Sequence, residues 1–173
     1  MHIEATIDEA VQVVRAVRPL PAMVLDVRAA DAGDAVEVDI DPKALPGASG
    51  LMRLGAALAG NVTVTARFVG FAAGDATFAL AAQARGITVD KILNQLSGRI
   101  SANLAAQGLP PDVIELRPAG DGLELVAHAQ AAADARATGV VVQSFDLSDK
   151  TIRVDLDVPE GTTFDLPAPI RVS

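Results

Sequence analysis

The chain contains no cysteine, no tryptophan and no tyrosine, and has only 2 histidines and 5 phenylalanines. Without cysteine there is no disulfide, no thiolate metal site and no thiol nucleophile. The histidines, His2 and His128, stand far apart in sequence. The imidazole clusters that hold zinc or other transition metals are therefore missing from the pattern, and no metal or cofactor is expected. His128, in the strand-like run Ala127-His128-Ala129-Gln130, reads as a solvent-facing polar position. Basic charge is also scarce: 14 Lys and Arg against 22 Asp and Glu give a net charge of −8. Nucleic-acid binding requires a basic surface that displaces counterions, so that class is excluded, and docking to anionic membranes is disfavoured for the same reason. Arg15, Arg18 and Arg28 are the nearest thing to a basic cluster and read as a solvated face.

Long apolar runs are missing too. No uninterrupted apolar stretch reaches the ~18 residues that a membrane-spanning helix needs. The opening MHIEATIDEAVQVV has neither a basic region nor a continuous apolar segment, so it is not read as a signal peptide. The expectation is a soluble, cytoplasmic chain. Nucleophile motifs are lacking as well. Ser49 lies in Gly47-Ala-Ser-Gly50, which is not the G-x-S-x-G elbow, and no Gly-Lys-Ser/Thr follows to make a phosphate loop. The pairs Asp39/Asp41 and Asp155/Asp157 have a spacing that could serve a calcium ion or an acid–base pair. Their placement on strand faces reads instead as wet outer surface that guards against edge pairing. No enzyme is expected.

What is present is aliphatic: 50% of the residues are hydrophobic, drawn mostly from Ala, Val, Leu and Ile. At 173 residues the chain fits one domain, 1–173, with a Pro-rich extended tail over 159–173. Thr6 and Glu9 have capping-box spacing ahead of Ala10, Val13, Val14 and Val17, and Pro19 and Pro21 stop that helix. Met23–Ala29 and Ala35–Asp41 read as a hairpin whose second arm alternates Val36, Val38 and Ile40 with acidic residues. Leu51, Leu54 and Leu58 suit a short helix over 51–59. Val62–Phe71 and Ala76–Arg85 form a second hairpin, with Val64, Ala66 and Phe68 on one face and Val69 and Phe71 on the other, apolar on both. Val113–Arg117 with Leu123–Ala131, and Gly139–Leu147 with Thr151–Val158, give two more, turning at Gly120-Asp-Gly122 and Ser148-Asp149-Lys150. The alanine run over 129–137 fits either a helical turn or the end of a long strand, and the strand, with a loop near 133–138, is the preferred reading.

Gly86–Gly108 is the one long amphipathic stretch. Val89, Ile92, Leu93, Leu96, Ile100 and Leu104 recur at offsets of three or four, Thr88 is the N-cap, and Gly108 with Pro110-Pro111 ends it. The sum is an α+β fold: a curved antiparallel sheet of about four hairpins wrapped around one long central helix (88–107), with shorter helices near 6–17 and 51–59. Apolar segments without chemical groups point to a noncatalytic binding protein for an acyl chain, phospholipid or other apolar ligand held between helix and sheet. The expected lining is Leu51, Leu54, Leu58, Phe68, Phe78, Val89, Ile92, Leu93, Leu96, Ile100 and Leu104. The alternative is a structural or assembly module that self-associates through apolar strand edges into a homo-oligomer.

The paired segments Val62–Phe71/Ala76–Arg85 and Val113–Arg117/Leu123–Ala131, separated by Val89–Gln107 with its Ile92-Leu-Asn-Gln-Leu96 run, resemble the tubular lipid-binding (TULIP-like) superfamily, including its small bacterial phospholipid-binding members. The resemblance covers roughly 60–130 plus the last hairpin. It implies an elongated α+β domain, no catalysis, and lipid bound between helix and sheet. The chain departs from those members, which are usually exported or anchored, in showing no export signal, and it has fewer aromatics than a lipid tunnel would suggest.

Overall fold

A computed structural model describes residues 1–17, 20–41, 44, 61–83, 109–120 and 122–164. His2–Thr6 (β1) leads directly into a helix, Ile7–Val17 (α1). The junction is the capping box: the Glu9 backbone N–H donates to Thr6 Oγ1 at 3.2 Å, and the Thr6 N–H donates to Glu9 Oε2 at 2.8 Å. Two amides at the helix start are thereby satisfied reciprocally. Bonding to Thr6 also holds the Glu9 carboxyl below its ordinary pKa.

Hairpins supply most of the rest. Val24–Ala29 (β2) pairs with Ala35–Ile40 (β3), and Val62–Ala72 (β4) pairs with Asp75–Gln83 (β5) across Ala73 and Gly74. Ile114–Ala119 (β6) pairs with Gly122–His128 (β7). A short helix, Ala129–Asp134 (α2), and a two-residue strand, Ala137–Thr138 (β8), lead to the hairpin of Val141–Ser148 (β9) and Thr151–Asp157 (β10). Thr163–Phe164 (β11) pairs with β8. The two-residue turns after β4 and β9 have positive φ at both central positions, Ala73 (53°) and Gly74 (87°), then Asp149 (50°) and Lys150 (61°). That handedness matches the twist of the strands it joins.

The strands assemble into a six-stranded antiparallel sheet, β2-β3-β4-β5-β7-β6, a three-stranded sheet, β1-β10-β9, and the small β11-β8 pair. Both larger sheets are two-faced, because residues opposite one another in an antiparallel ladder share a face. In the six-stranded sheet Val27, Val38, Val64, Ala82 and their neighbours line one side, while Arg28, Glu37, Thr65 and Ala81 line the other. In the three-stranded sheet Ile3, Val154 and Phe145 share one face, and Glu4, Arg153 and Asp146 the other. Met23, Ile40, Val62 and Val64 form the buried core cluster, with Leu80, Leu116 and Leu123 packed against it.

These observations correct three sequence expectations. An α+β fold with one curved sheet around a single long central helix does not hold: the described residues are 58% strand and 15% helical, in separate sheets, with α1 and the short α2 as their helices. The reason is that each hairpin carries one apolar face, and Phe145 of one sheet packs on Phe68 and Phe78 of the other, so strands bury against strands. The stretches 88–107 and 51–59 lie outside the described residues. The second hairpin is also not apolar on both faces. A bulge between Phe68 and Gly70 restores Phe71, opposite Ala76, to the Phe68 side and leaves Val69 outside at 59% exposure. Finally, 129–134 is helix and not the end of β7, since Ala is the strongest helix former and the run carries no β-branched residue. Thr163 and Phe164 give the tail a strand, and 165–173 lie outside the described residues.

Candidate functional site

Two places on this scaffold concentrate features that could serve a ligand. The first is the contact between the sheets. Phe68 and Phe78 are direct cross-strand partners in β4 and β5, with ring centroids 5.6 Å apart. Phe145 of β9 meets them at 5.4 and 6.1 Å, tilted to Phe68 and edge-on to Phe78. Such edge-to-face geometry sets the positive rim of one ring against the negative face of another. The three rings are partly buried, as are Val24, Val38, Leu80, Leu116 and Leu123 on the same side of the six-stranded sheet.

One end of this contact is fixed by the backbone. Lys150 N–H donates to Gly33 O at 2.8 Å, and Ile7 N–H donates to Lys150 O at 2.9 Å, which ties the β9–β10 turn to the β2–β3 turn and to the start of α1. A Cβ at Gly33, whose φ is +83°, would stand 3.3 Å from Asp149 Cα, so close approach and backbone shape both ask for glycine. The middle is fixed by Gln130 of α2. Its Nε2 donates to Val140 O, and its Oε1 accepts from the Val142 N–H, both at 2.8 Å. The carboxamide thus occupies the ladder positions along β9 that a further strand would take.

The second place is the outer strand β6. His128, at the end of β7, donates from Nδ1 to Asp75 Oδ1 at 2.8 Å and faces Glu115 Oε2 with Nε2 at 3.6 Å. The Asp75 hydrogen bond raises the pKa of His128 above the ordinary value, and Glu115 adds to it. Beside it lies an open depression of about 490 Å³ lined by Pro111, Asp112, Ile114, Glu115, Leu116 and His128. His128 is therefore a paired group and not the solvent-facing polar position that its alternation suggests. Its partners are both acids, so Nε2 has a carboxylate before it and no hydroxyl to activate.

The ionic face elsewhere is also paired. Arg28 donates from Nη1 to Asp39 Oδ2 at 2.6 Å, lies 2.7 Å from Glu37, and Thr63 Oγ1 donates to Asp39 Oδ1 at 2.6 Å. Arg28 first, then Thr63, hold the Asp39 carboxyl below its ordinary pKa. Arg15 pairs with Asp26 at 3.0 Å. Arg15 and Arg28 are thus ion-pair members, where the sequence suggests a merely solvated basic face. On the three-stranded sheet His2 Nδ1 lies 2.7 Å from Asp155 Oδ1, and Ser144 Oγ donates to Asp155 Oδ2 at 2.7 Å. The carboxylate stands between hydroxyl and imidazole, whereas a Ser-His-Asp relay places the imidazole in the middle.

Of the residues expected to line an apolar site, Phe68 and Phe78 are described and lie together. Leu51, Leu54, Leu58, Val89, Ile92, Leu93, Leu96, Ile100 and Leu104 lie outside the described residues. Phe145 and the Asp75–His128–Glu115 group were missed by sequence reasoning. Phe145 falls inside the expected strand 139–147, but nothing in the sequence singles it out or says which strand it would face. Among the described residues no group of three or more His, Asp or Glu is arranged to hold a metal ion, and no helix is long and apolar enough to cross a membrane. No family model, curated protein or solved structure matches the chain.

Proposed function

We propose that the protein is a noncatalytic binding protein for an acyl chain or another apolar ligand, taken up against the apolar side of the six-stranded sheet. The observation that carries this reading is that side's incomplete burial. Val24, Val38, Leu80, Leu116 and Leu123 stay partly accessible around the core cluster, although the same sheet's other face is ionic. Apolar side chains left partly accessible on one sheet face gain free energy when a ligand covers them. Aliphatic and phenyl walls without a reactive group suit a saturated chain better than a polar metabolite. Native mass spectrometry of protein purified without detergent tests this, followed by delipidation and titration with a fluorescent fatty-acid analogue, since the chain has no Trp or Tyr to report binding. Saturable uptake at one site, displaced by unlabelled fatty acid or phospholipid and weakened by Leu80→Asp, is expected. A clean mass for the bare chain with no saturable uptake would overturn the reading.

A second reading, self-association through strand edges, draws on Ile3 of β1 (45% exposed), Leu25 of β2 (48%) and Val14 of α1 (53%), which present apolar surface at or beside outer strands. Sedimentation velocity over a dilution series discriminates: a concentration-dependent dimer supports it, and a monomer throughout removes it.

A further inference from the structure

Among the described residues, no strand pairs with the outer side of β6, which ends the six-stranded sheet. His128 N–H donates to Val113 O at 2.8 Å, and Glu115, Arg117 and Ala119 follow Val113 in the same phase opposite β7. In an antiparallel ladder the intervening residues direct their N–H and C=O groups away from the partner strand. Those residues are Ile114, Leu116 and Pro118. Pro118 has no N–H, and Pro111 stands at the other end, so the pairing window runs between two prolines. The open depression beside His128 lies along this same window. By contrast, the β9 edge is occupied by the Gln130 carboxamide, β2 is bulged at Leu25 and packs beside α1, and β1 carries His2 and Glu4, charges of the kind that blunt an edge.

We propose that the β6 edge is a strand-addition site for an extended basic peptide segment, which pairs its backbone with Ile114 and Leu116 and sets a Lys or Arg side chain against Asp112 and Glu115. Backbone pairing at a free edge supplies affinity, and the side chains flanking it select the sequence. The flanking chemistry here is mixed: Ile114 and Leu116 offer apolar contact, and Asp112 and Glu115 are exposed acids in a chain of net charge −8. That charge repels an acidic partner and attracts a cationic one. An alternating Lys/Val peptide fits both requirements, because its valines fall on one side of the added strand and its lysines on the other.

The test uses the full chain and three synthetic pentapeptides: Lys-Val-Lys-Val-Lys with capped ends, its Glu-for-Lys counterpart, and the Lys peptide N-methylated at alternate backbone amides. Amide chemical shifts in ¹⁵N-labelled protein report the place of binding. The Lys peptide is expected to shift Ile114 and Leu116 saturably and to weaken with added salt, while the Glu and N-methylated peptides do not bind. Replacing both acids, Asp112→Lys with Glu115→Lys, should weaken the Lys peptide by about fivefold, the worth of two exposed ion pairs, and admit the Glu peptide. Shifts confined to other strands, or equal binding by the N-methylated peptide, would overturn the proposal. Equal binding by the Glu peptide to the unaltered chain would overturn the choice of a basic partner.

Discussion

His128 holds its imidazole between Asp75 and Glu115, on three adjacent strands, and its pKa is raised chiefly by the hydrogen bond to Asp75. His2 is raised in the same way by Asp155 and then Glu4. A histidine that binds its proton more tightly when folded contributes stability in full below the ordinary value of 6.5, and that contribution is lost as pH rises through the higher folded value. Asp39 and Asp155 run the other way. Their lowered pKa values give stability above the ordinary 3.8, lost as pH falls through the folded values. The protein should therefore melt higher at pH 6 than at pH 8.5, and weaken again in strong acid. With only 2 histidines in the chain, NMR titration assigns each directly. His128 is expected to titrate above 6.5, and Asp75→Asn should bring it down and shrink the gain in melting temperature on going to pH 6. An unchanged midpoint in Asp75→Asn would mean that the pair does not form in solution. The sequence could not announce this group. Asp75 and His128 are 53 residues apart, and they meet because β7 inserts between β5 and β6. The Thr6–Glu9 capping box spans three residues and was legible for the opposite reason: its whole geometry is local.

At the scale of elements, hairpins were readable and their partners were not. Each of the four main hairpins announces itself through a short turn between apolar runs, two of them also through clear alternation, and each forms close to the expected residues. The order of strands and the joining of β1 to β10 depend on distant contacts, whereas the helix in the alanine run follows from local propensity that the strand pattern ahead of it obscured. Gln130 illustrates the difficulty. In sequence it is one polar residue among alanines, yet its N–H donates to Gly74 O at 3.0 Å while its carboxamide covers the edge of β9. Gly74 itself leaves no room: a Cβ there would lie 2.7 Å from Gln130 Cβ, at a φ of +87°. Removing the carboxamide in Gln130→Ala strands the Val140 carbonyl and the Val142 amide of two buried residues, at a cost of about 2 kcal/mol. Gln130→Glu keeps the acceptor for Val142 but turns a carboxylate toward the Val140 carbonyl and Asp134, so it should destabilise as well, more at neutral than at acid pH. Urea denaturation measures both variants. Hydrogen exchange at the Val142 amide gives the specific readout, and unchanged protection in Gln130→Ala would show that the side chain is not closing that edge.

For the whole molecule, the burial in the described residues is that of two amphipathic sheets, and the three phenylalanines are where the sheets meet most distinctly. The six-stranded sheet has an apolar face almost without interruption, and local turns at Gly33 and Lys150 tie one end of it to the three-stranded sheet. Phe145 then decides how much of the association depends on aromatic packing. Its ring touches residues of β4 and β5, contributed by a hairpin remote in sequence, so truncation removes contacts across the sheets and leaves each ladder intact. Fully buried Phe→Ala changes cost 3–5 kcal/mol, and a partly buried ring should cost less, about 2 kcal/mol for Phe145→Ala. Phe78→Ala should cost a similar amount, and the double variant should fall short of the sum by about 1 kcal/mol, the coupling expected of an edge-to-face pair. If the sheets associate as described, this coupling persists at every pH and salt concentration, because neither ring carries charge, whereas the ionic contributions of His2, His128 and Asp39 move with pH. Strict additivity of the two substitutions would place Phe145 out of contact with Phe78 in solution and leave the tied turns as the means by which the sheets hold together.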